Sequence, residues 1–157
     1  MSKPTVVIVP GAWQKPVVWD GFRATLDKAG YESTHVALPT TGGVETPLAG
    51  LAEDVAAVRD VLKPLVGQGK DVVILCHSSG GVVSSNAVEG FDSASRKAEG
   101  EAGGVVRVVF LAAFMLPKGQ SLLGMLGGNP LPWMVVEVSS AFEPPQCLSS
   151  SQHSHVV

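Results

Sequence analysis

The chain has 157 residues, of which 45% are hydrophobic and 16% are charged, and its formal net charge is -3. This length predicts one domain with a hydrophobic core, and the missing basic surplus argues against a nucleic-acid partner. The N-terminal apolar run is too short for a signal peptide, and residues 108–117 fall short of the ~20 apolar residues of a membrane span. Two cysteines, Cys76 and Cys147, cannot build a disulfide framework. We therefore expect a cytoplasmic protein with no membrane partner.

Strands and helices alternate in the first half of the chain. Residues 5–10 form a β-branched run typical of a strand covered on both faces, and a helix follows between Trp19 and Ala29. Residues 32–39 predict a second strand. Apolar side chains at helical spacing predict a helix over residues 51–67, which we expect to bend or fray at Pro64.

The alternation continues after the second helix. Residues 71–76 predict a third strand, residues 79–90 a helix, and residues 93–104 a short polar helix or loop. Residues 105–115 predict a fourth strand of nearly continuous apolar character. This order indicates the α/β class: an open parallel sheet with right-handed connections and helices on both faces.

The pattern weakens towards the C terminus. After Pro117, one short apolar helix is followed by frequent glycine and proline, and the last residues are rich in serine. We therefore predict a core over residues 1–130 and an irregular tail over residues 131–157.

The third strand ends in Cys-His-Ser-Ser-Gly, and this stretch carries the first chemical signal. A nucleophilic serine in a tight strand-to-helix turn needs small residues two positions before and after it, and Cys76 and Gly80 flank Ser78 in this way. The Ser79 N–H at the helix start then faces a developing oxyanion. The alternative is that Ser78 only caps a helix.

The loop after the first strand carries the second signal. In Val-Pro-Gly-Ala-Trp, Gly11 permits a tight turn and Ala12 offers a second N–H for the oxyanion. Trp13, beside this loop, is a candidate for the substrate pocket. With two segments converging on one site, we prefer the nucleophile interpretation of Ser78.

These stretches, together with the loop "VALPTTGG" and the strand "VVRVVFLAAFMLPKG", resemble the α/β-hydrolase family. The nearest branch contains carboxylesterases, plant methylesterases and hydroxynitrile lyases, and the resemblance covers roughly residues 4–130. It implies a serine hydrolase of small carboxylic esters that needs no cofactor or metal, with Ser78 as nucleophile and Ala12 and Ser79 as oxyanion donors. Pro10 stands where the family usually has histidine, and Cys76 where it usually has glycine.

The acid and base of a triad are not evident. The family order is serine, then a carboxylate, then histidine, but this chain stops soon after its fourth strand. We expect structural roles for two histidines that lie in or beside strands, His35 and His77. His153 and His155 follow the serine in the right order, with Glu137 or Glu143 as conceivable acids, but no predicted strand holds them. The chain therefore resembles a C-terminally truncated hydrolase.

Two further hypotheses follow from this truncation. A fourth strand left at the sheet edge is long and apolar, which favours a homodimer through that edge. The second hypothesis is that this chain lacks a base and is a catalytically incompetent, hydrolase-like protein that binds a ligand or partner. Lyase chemistry on the same scaffold is a third possibility, because one fold hosts several reactions.

Overall fold

A computed structural model describes residues 3–43, 47–130 and 132 of the chain. Contacts within it divide the chain into two compact units, Met1–Leu122 and Leu123–Val157. The candidate site lies wholly in the first unit. Most of the tail expected over residues 131–157 lies outside the described residues, so that boundary stays a prediction.

Four parallel strands form one sheet in the order β2-β1-β3-β4. Their bounds are Thr5–Val9 (β1), Ser33–His35 (β2), Asp71–Ser78 (β3) and Gly104–Ala113 (β4). Since parallel neighbours need crossover connections, the helices between them cover the sheet faces. The predicted α/β class is confirmed.

The helices follow the predicted order. Their bounds are Asp20–Lys28 (α1, preceded by a 3-10 turn over Pro16–Trp19), Leu51–Gly67 (α2), Gly80–Ala87 (α3), Ser93–Ala98 (α4) and Leu122–Met125 (α5). Helix α2 does not fray at Pro64 as expected but continues to Gly67. The last turn of a helix tolerates the loss of one backbone hydrogen bond when its apolar face is packed. The Val66 side chain is buried in this turn.

All four strands end within a few residues of the predicted bounds except β2, and the two largest differences in length are those of β2 and β3. Strand β2 covers only three residues, although the Val36 N–H still donates to the Ile8 carbonyl at 2.9 Å. Strand β3 extends to Ser78 instead of stopping at Cys76, because its pairing with β4 continues as far as Ser78, which is opposite Ala113. Both differences lie at strand ends, where tertiary pairing decides the boundary.

The hydrophobic core lies between the sheet and helices α2 and α3. Alternate residues of the two central strands face these helices. The fully buried members of this cluster include Val7, Val9, Val72, Ile74 and Cys76 of the sheet, and Val58 and Leu62 of α2. On the opposite face, the His77 ring packs edge-on against Trp19, with 5.7 Å between ring centroids. The expectation of helices on both faces is therefore confirmed.

Arginine side chains hold the ends of the helices that support the site. Arg59 on α2 donates to the carbonyls of Ala87 and Glu89 at 3.0 and 2.9 Å, at the end of α3. Arg96 donates to the Val66 carbonyl at the end of α2, at 3.0 Å. Because the last carbonyls of a helix lack partners within the helix, these cationic donors fix α2 and α3 in position.

Strand β4 lies at one edge of the sheet in the described part of the chain. It pairs with β3 on one side, and Val106 and Leu111 are 45% and 46% exposed. An apolar edge of this kind favours pairing with another strand. Dimerisation through this edge stays a prediction.

We expect Leu62→Ala to lower the free energy of unfolding by about 2–5 kcal/mol, because it removes a fully buried side chain from the interface of α2 with the sheet. Urea denaturation followed by circular dichroism measures the change. The matched control is Leu48→Ala, whose side chain is 61% exposed. An equal loss in both variants would contradict the position of the core.

Candidate active site

The turn between β3 and α3, which we call the elbow, has a strained backbone. Ser78 ends β3 with φ at +51°, a left-handed conformation that a residue other than glycine rarely adopts. The β3–β4 register shifts between His77 and Ser78, and the Phe114 N–H donates to the Ser78 carbonyl at 2.9 Å. Strain of this kind persists only where surrounding structure fixes it, and it concentrates at functional sites.

Glycines allow the helix to approach the sheet at this turn. A Cβ added to Gly80 would lie 2.5 Å from the carbonyl oxygens of both Val9 and Pro10. A Cβ on Gly81 would collide with the Phe114 carbonyl oxygen. Helix α3 therefore starts directly against the ends of β1 and β4, a position that only residues without a side chain permit.

Cys76, two positions before Ser78, is fully buried, and its thiol donates to the Val109 carbonyl at 3.3 Å. Burial raises the pKa of this thiol, because the thiolate would lose its hydration. The side chain is a small packed group between β3 and β4. A neutral thiol in this position is a poor nucleophile.

The loop after β1 lies against the elbow. Gly11 is buried, and a Cβ added there would lie 2.8 Å from the Ser78 Cβ. Beside it, the Ala12 N–H donates to the Ser79 hydroxyl oxygen at 2.8 Å. The fold thus brings together Ser78, Ala12 and Ser79, the three residues that the sequence assigned to one site.

Gln14 is a residue of this site that sequence reasoning missed. Its Oε1 accepts the Gly11 N–H at 3.0 Å and lies 3.1 Å from His77 Nδ1. The amide therefore connects the loop after β1 with the residue before Ser78. The only sign of this role in the sequence is that Gln14 lies three residues after Gly11. The contact with His77 is tertiary, so no local pattern indicates it.

A cleft of about 600 Å³ opens beside Ser79. Its lining is mainly apolar on the α3 side, with Val82 and Val83, and Leu51 contributes from α2. Asp54 closes another side, where it is buried and accepts hydrogen bonds from the Thr40 N–H and hydroxyl at 3.0 and 2.7 Å. This volume and character suit a small organic group.

Trp13 does not line this cleft. It has φ at +62° and is 72% exposed at the outer side of the loop after β1. Its role in the substrate pocket stays a prediction.

The helix-cap interpretation of Ser78 does not match the structure. Ser78 is the last residue of β3, and Ser79 takes the position before α3. The Ser79 side chain makes no capping hydrogen bond with α3. Neither serine therefore serves the common role of a helix cap.

Both histidines of the described residues contact other side chains. His77 packs on Trp19, and His35 Nε2 lies 3.6 Å from Asp20 Oδ1. The candidate bases His153 and His155 and the candidate acids Glu137 and Glu143 lie outside the described residues. Within the described ranges, no group of three His, Cys, Asp or Glu side chains could hold a metal ion.

None of the described helices is both long and apolar enough to span a membrane.

A family model described as "Alpha/beta hydrolase family" matches residues 6–150. The chain belongs to the alpha/beta hydrolase family. Among curated relatives, "Alpha/beta hydrolase nvfD" of Aspergillus novofumigatus is 38% identical over 128 residues, which are 80% of this chain and 49% of that protein. "Methylesterase 7" of Arabidopsis thaliana is 34% identical over 115 residues, 69% of this chain and 37% of that protein. The chain spans half or less of the length of these relatives.

Solved structures show the same fold. An extracellular alpha/beta-hydrolase from Paenibacillus superposes with a TM-score of 0.60 at 24% identity, over 78% of this chain and 46% of that one. Tomato methylketone synthase I superposes with a TM-score of 0.65 at 16% identity, over 92% of this chain and 54% of that one. The resemblance noted in the sequence is therefore confirmed for family and fold.

We expect Gly80→Ala to destabilise the fold by roughly 2 kcal/mol or more, because the added methyl group forces α3 away from two carbonyl oxygens. Thermal unfolding measures this loss. The control is Gly21→Ala in α1, where nothing lies within 4 Å of the added Cβ. That variant should be neutral or gain up to about 1 kcal/mol from helix propensity. Equal stability of both variants would contradict the close approach at Gly80.

We expect the raised pKa of Cys76 to make stability depend on alkaline pH. Below the thiol pKa of the unfolded chain, about 8.5, Cys76 makes its full contribution to the free energy of unfolding. That contribution is lost as pH rises through the folded pKa, because the thiol ionises at a lower pH in the unfolded chain than in the folded one. Denaturant midpoints measured from pH 7 upward in a Cys147→Ser background test this. Adding Cys76→Ala should flatten the decline, and an unchanged slope would contradict the assignment.

Proposed function

We propose that this chain is a serine hydrolase of small carboxylic esters with Ser78 as its nucleophile. The observation that carries the proposal is the left-handed backbone of Ser78 in a strand-to-helix turn that lies directly against the loop bearing Ala12. Such a turn exposes a serine hydroxyl at the carboxyl end of a central strand, which is where parallel sheets bind their ligands.

The reaction follows from this arrangement. Ser78 Oγ attacks the ester carbonyl carbon while a base takes the hydroxyl proton, and the carbonyl oxygen becomes an oxyanion. The N–H groups of Ala12 and Ser79 stabilise that charge. Collapse of the intermediate expels the alcohol, which takes up the proton, and water then hydrolyses the acyl-serine. The sequence-derived candidates for the base are His153 and His155.

The cleft beside Ser79 supports the substrate class. Its apolar side, with Val82 and Val83, suits an uncharged ester group, and its volume of about 600 Å³ accommodates a small molecule. A relative with the name "Methylesterase 7" is in keeping with an ester substrate. The proposed reaction needs no cofactor, because a serine nucleophile, a base and two N–H donors are sufficient for acyl transfer.

Labelling with a fluorophosphonate probe tests the proposal. We expect the folded full chain to become labelled and Ser78→Ala to lose the label, because the probe reacts only with an activated serine. The matched control is Ser85→Ala in α3, whose hydroxyl donates to the Gly81 carbonyl at 2.8 Å. That variant should label like the wild type.

An unlabelled but folded wild-type chain would overturn the proposal. The incompetent, ligand-binding interpretation would then take its place, with the elbow kept as architecture. If labelling occurs, His153→Ala and His155→Ala identify which histidine activates the serine.

A further inference from the structure

The hydroxyl of Ser79 occupies an unexpected position. The two N–H groups proposed to hold the oxyanion belong to Ala12 and Ser79, which are distant in sequence. One of these donors is already engaged, since the Ala12 N–H donates to Ser79 Oγ at 2.8 Å. This distance is that of a good hydrogen bond.

The second donor lies close to the same hydroxyl for covalent reasons. A serine Oγ is three bonds from its own backbone nitrogen, so it stays near that N–H whenever χ1 is gauche. With χ1 gauche, Ser79 Oγ lies near one donor while it accepts from the other, as a substrate oxyanion would. The side chain is half-buried and borders the cleft, where a substrate carbonyl must enter.

We propose that the Ser79 hydroxyl closes the oxyanion hole before substrate binds, and that a substrate carbonyl oxygen must displace it to react. The inference rests on the proposed function and adds a regulatory element to the same site. Displacement needs only rotation about χ1 of one serine, which carries no capping bond to α3 that would resist it. Every encounter with substrate therefore breaks the Ala12–Ser79 hydrogen bond.

Two other roles for the hydroxyl predict the opposite result. If it served to tie the loop after β1 to the elbow, its removal would loosen Ala12 and slow the reaction. If it donated its own proton to the oxyanion, its removal would also slow the reaction. Of these three roles, only closing the oxyanion hole predicts a faster reaction when the hydroxyl is removed.

The experiment compares the second-order rate constants of fluorophosphonate labelling for wild type, Ser79→Ala and Ser79→Thr. We expect Ser79→Ala to react about fivefold faster, since one net hydrogen bond no longer has to be broken. Ser79→Thr keeps the hydroxyl and should not reproduce this acceleration. Ser85→Ala, which removes a hydroxyl from α3 outside the cleft, should leave the rate unchanged.

The outcomes separate the two proposals. Labelling of the wild type with an equal or slower rate for Ser79→Ala would overturn the closed hole and leave the hydrolase proposal intact. Labelling of Ser79→Ala alone would support the closed hole but would overturn the proposal that the wild-type chain is itself an active hydrolase. No labelling of any folded variant would overturn the hydrolase proposal.

In that last case the hydrogen bond itself is tested by NMR. The Ala12 amide proton of the wild type should shift less with temperature than that of Ser79→Ala, because an internal acceptor shields it from water. Equal temperature dependence would show that the bond does not form and would overturn the closed hole irrespective of activity.

Discussion

The close approach of α3 to the ends of β1 and β4 is the constraint on which the site depends. Gly80 and Gly81 lack side chains where a Cβ would meet backbone oxygens of both strands. With the helix start fixed there, the chain has one residue in which to turn from strand to helix, and Ser78 takes up the strain with φ at +51°. The packing of α2 and α3 on the sheet offsets that strain.

The same constraint assembles the site from segments that are far apart in the chain. Because α3 presses on β1, the loop after β1 lies against the elbow, and Gly11 contacts Ser78 closely enough to exclude any side chain. Gln14 and His77 hold this loop from the other side. The Ala12–Ser79 bond then joins the two proposed oxyanion donors. Rigid backbone placed in this way suits catalysis, which tolerates little displacement.

The chain spans half or less of the length of its curated relatives, and its described sheet ends at β4. The outer edge of that strand carries exposed apolar residues such as Val106 and Leu111. The proposed nucleophile and oxyanion donors lie at or just after the ends of β1 and β3. The family order places acid and base after them, so the described residues contain the proposed attacking half of the site.

The sequence by itself determined the α/β class, the order of the elements and the identities of Ser78, Ala12 and Ser79 as one candidate site. These follow from local periodicity and from turn chemistry, both of which are written in neighbouring residues. Only the tertiary structure decided that β3 extends to Ser78, that Gln14 bridges Gly11 and His77, and that the Ser79 hydroxyl accepts from Ala12. Those features depend on contacts between residues as far apart as 12 and 79, which no local pattern records.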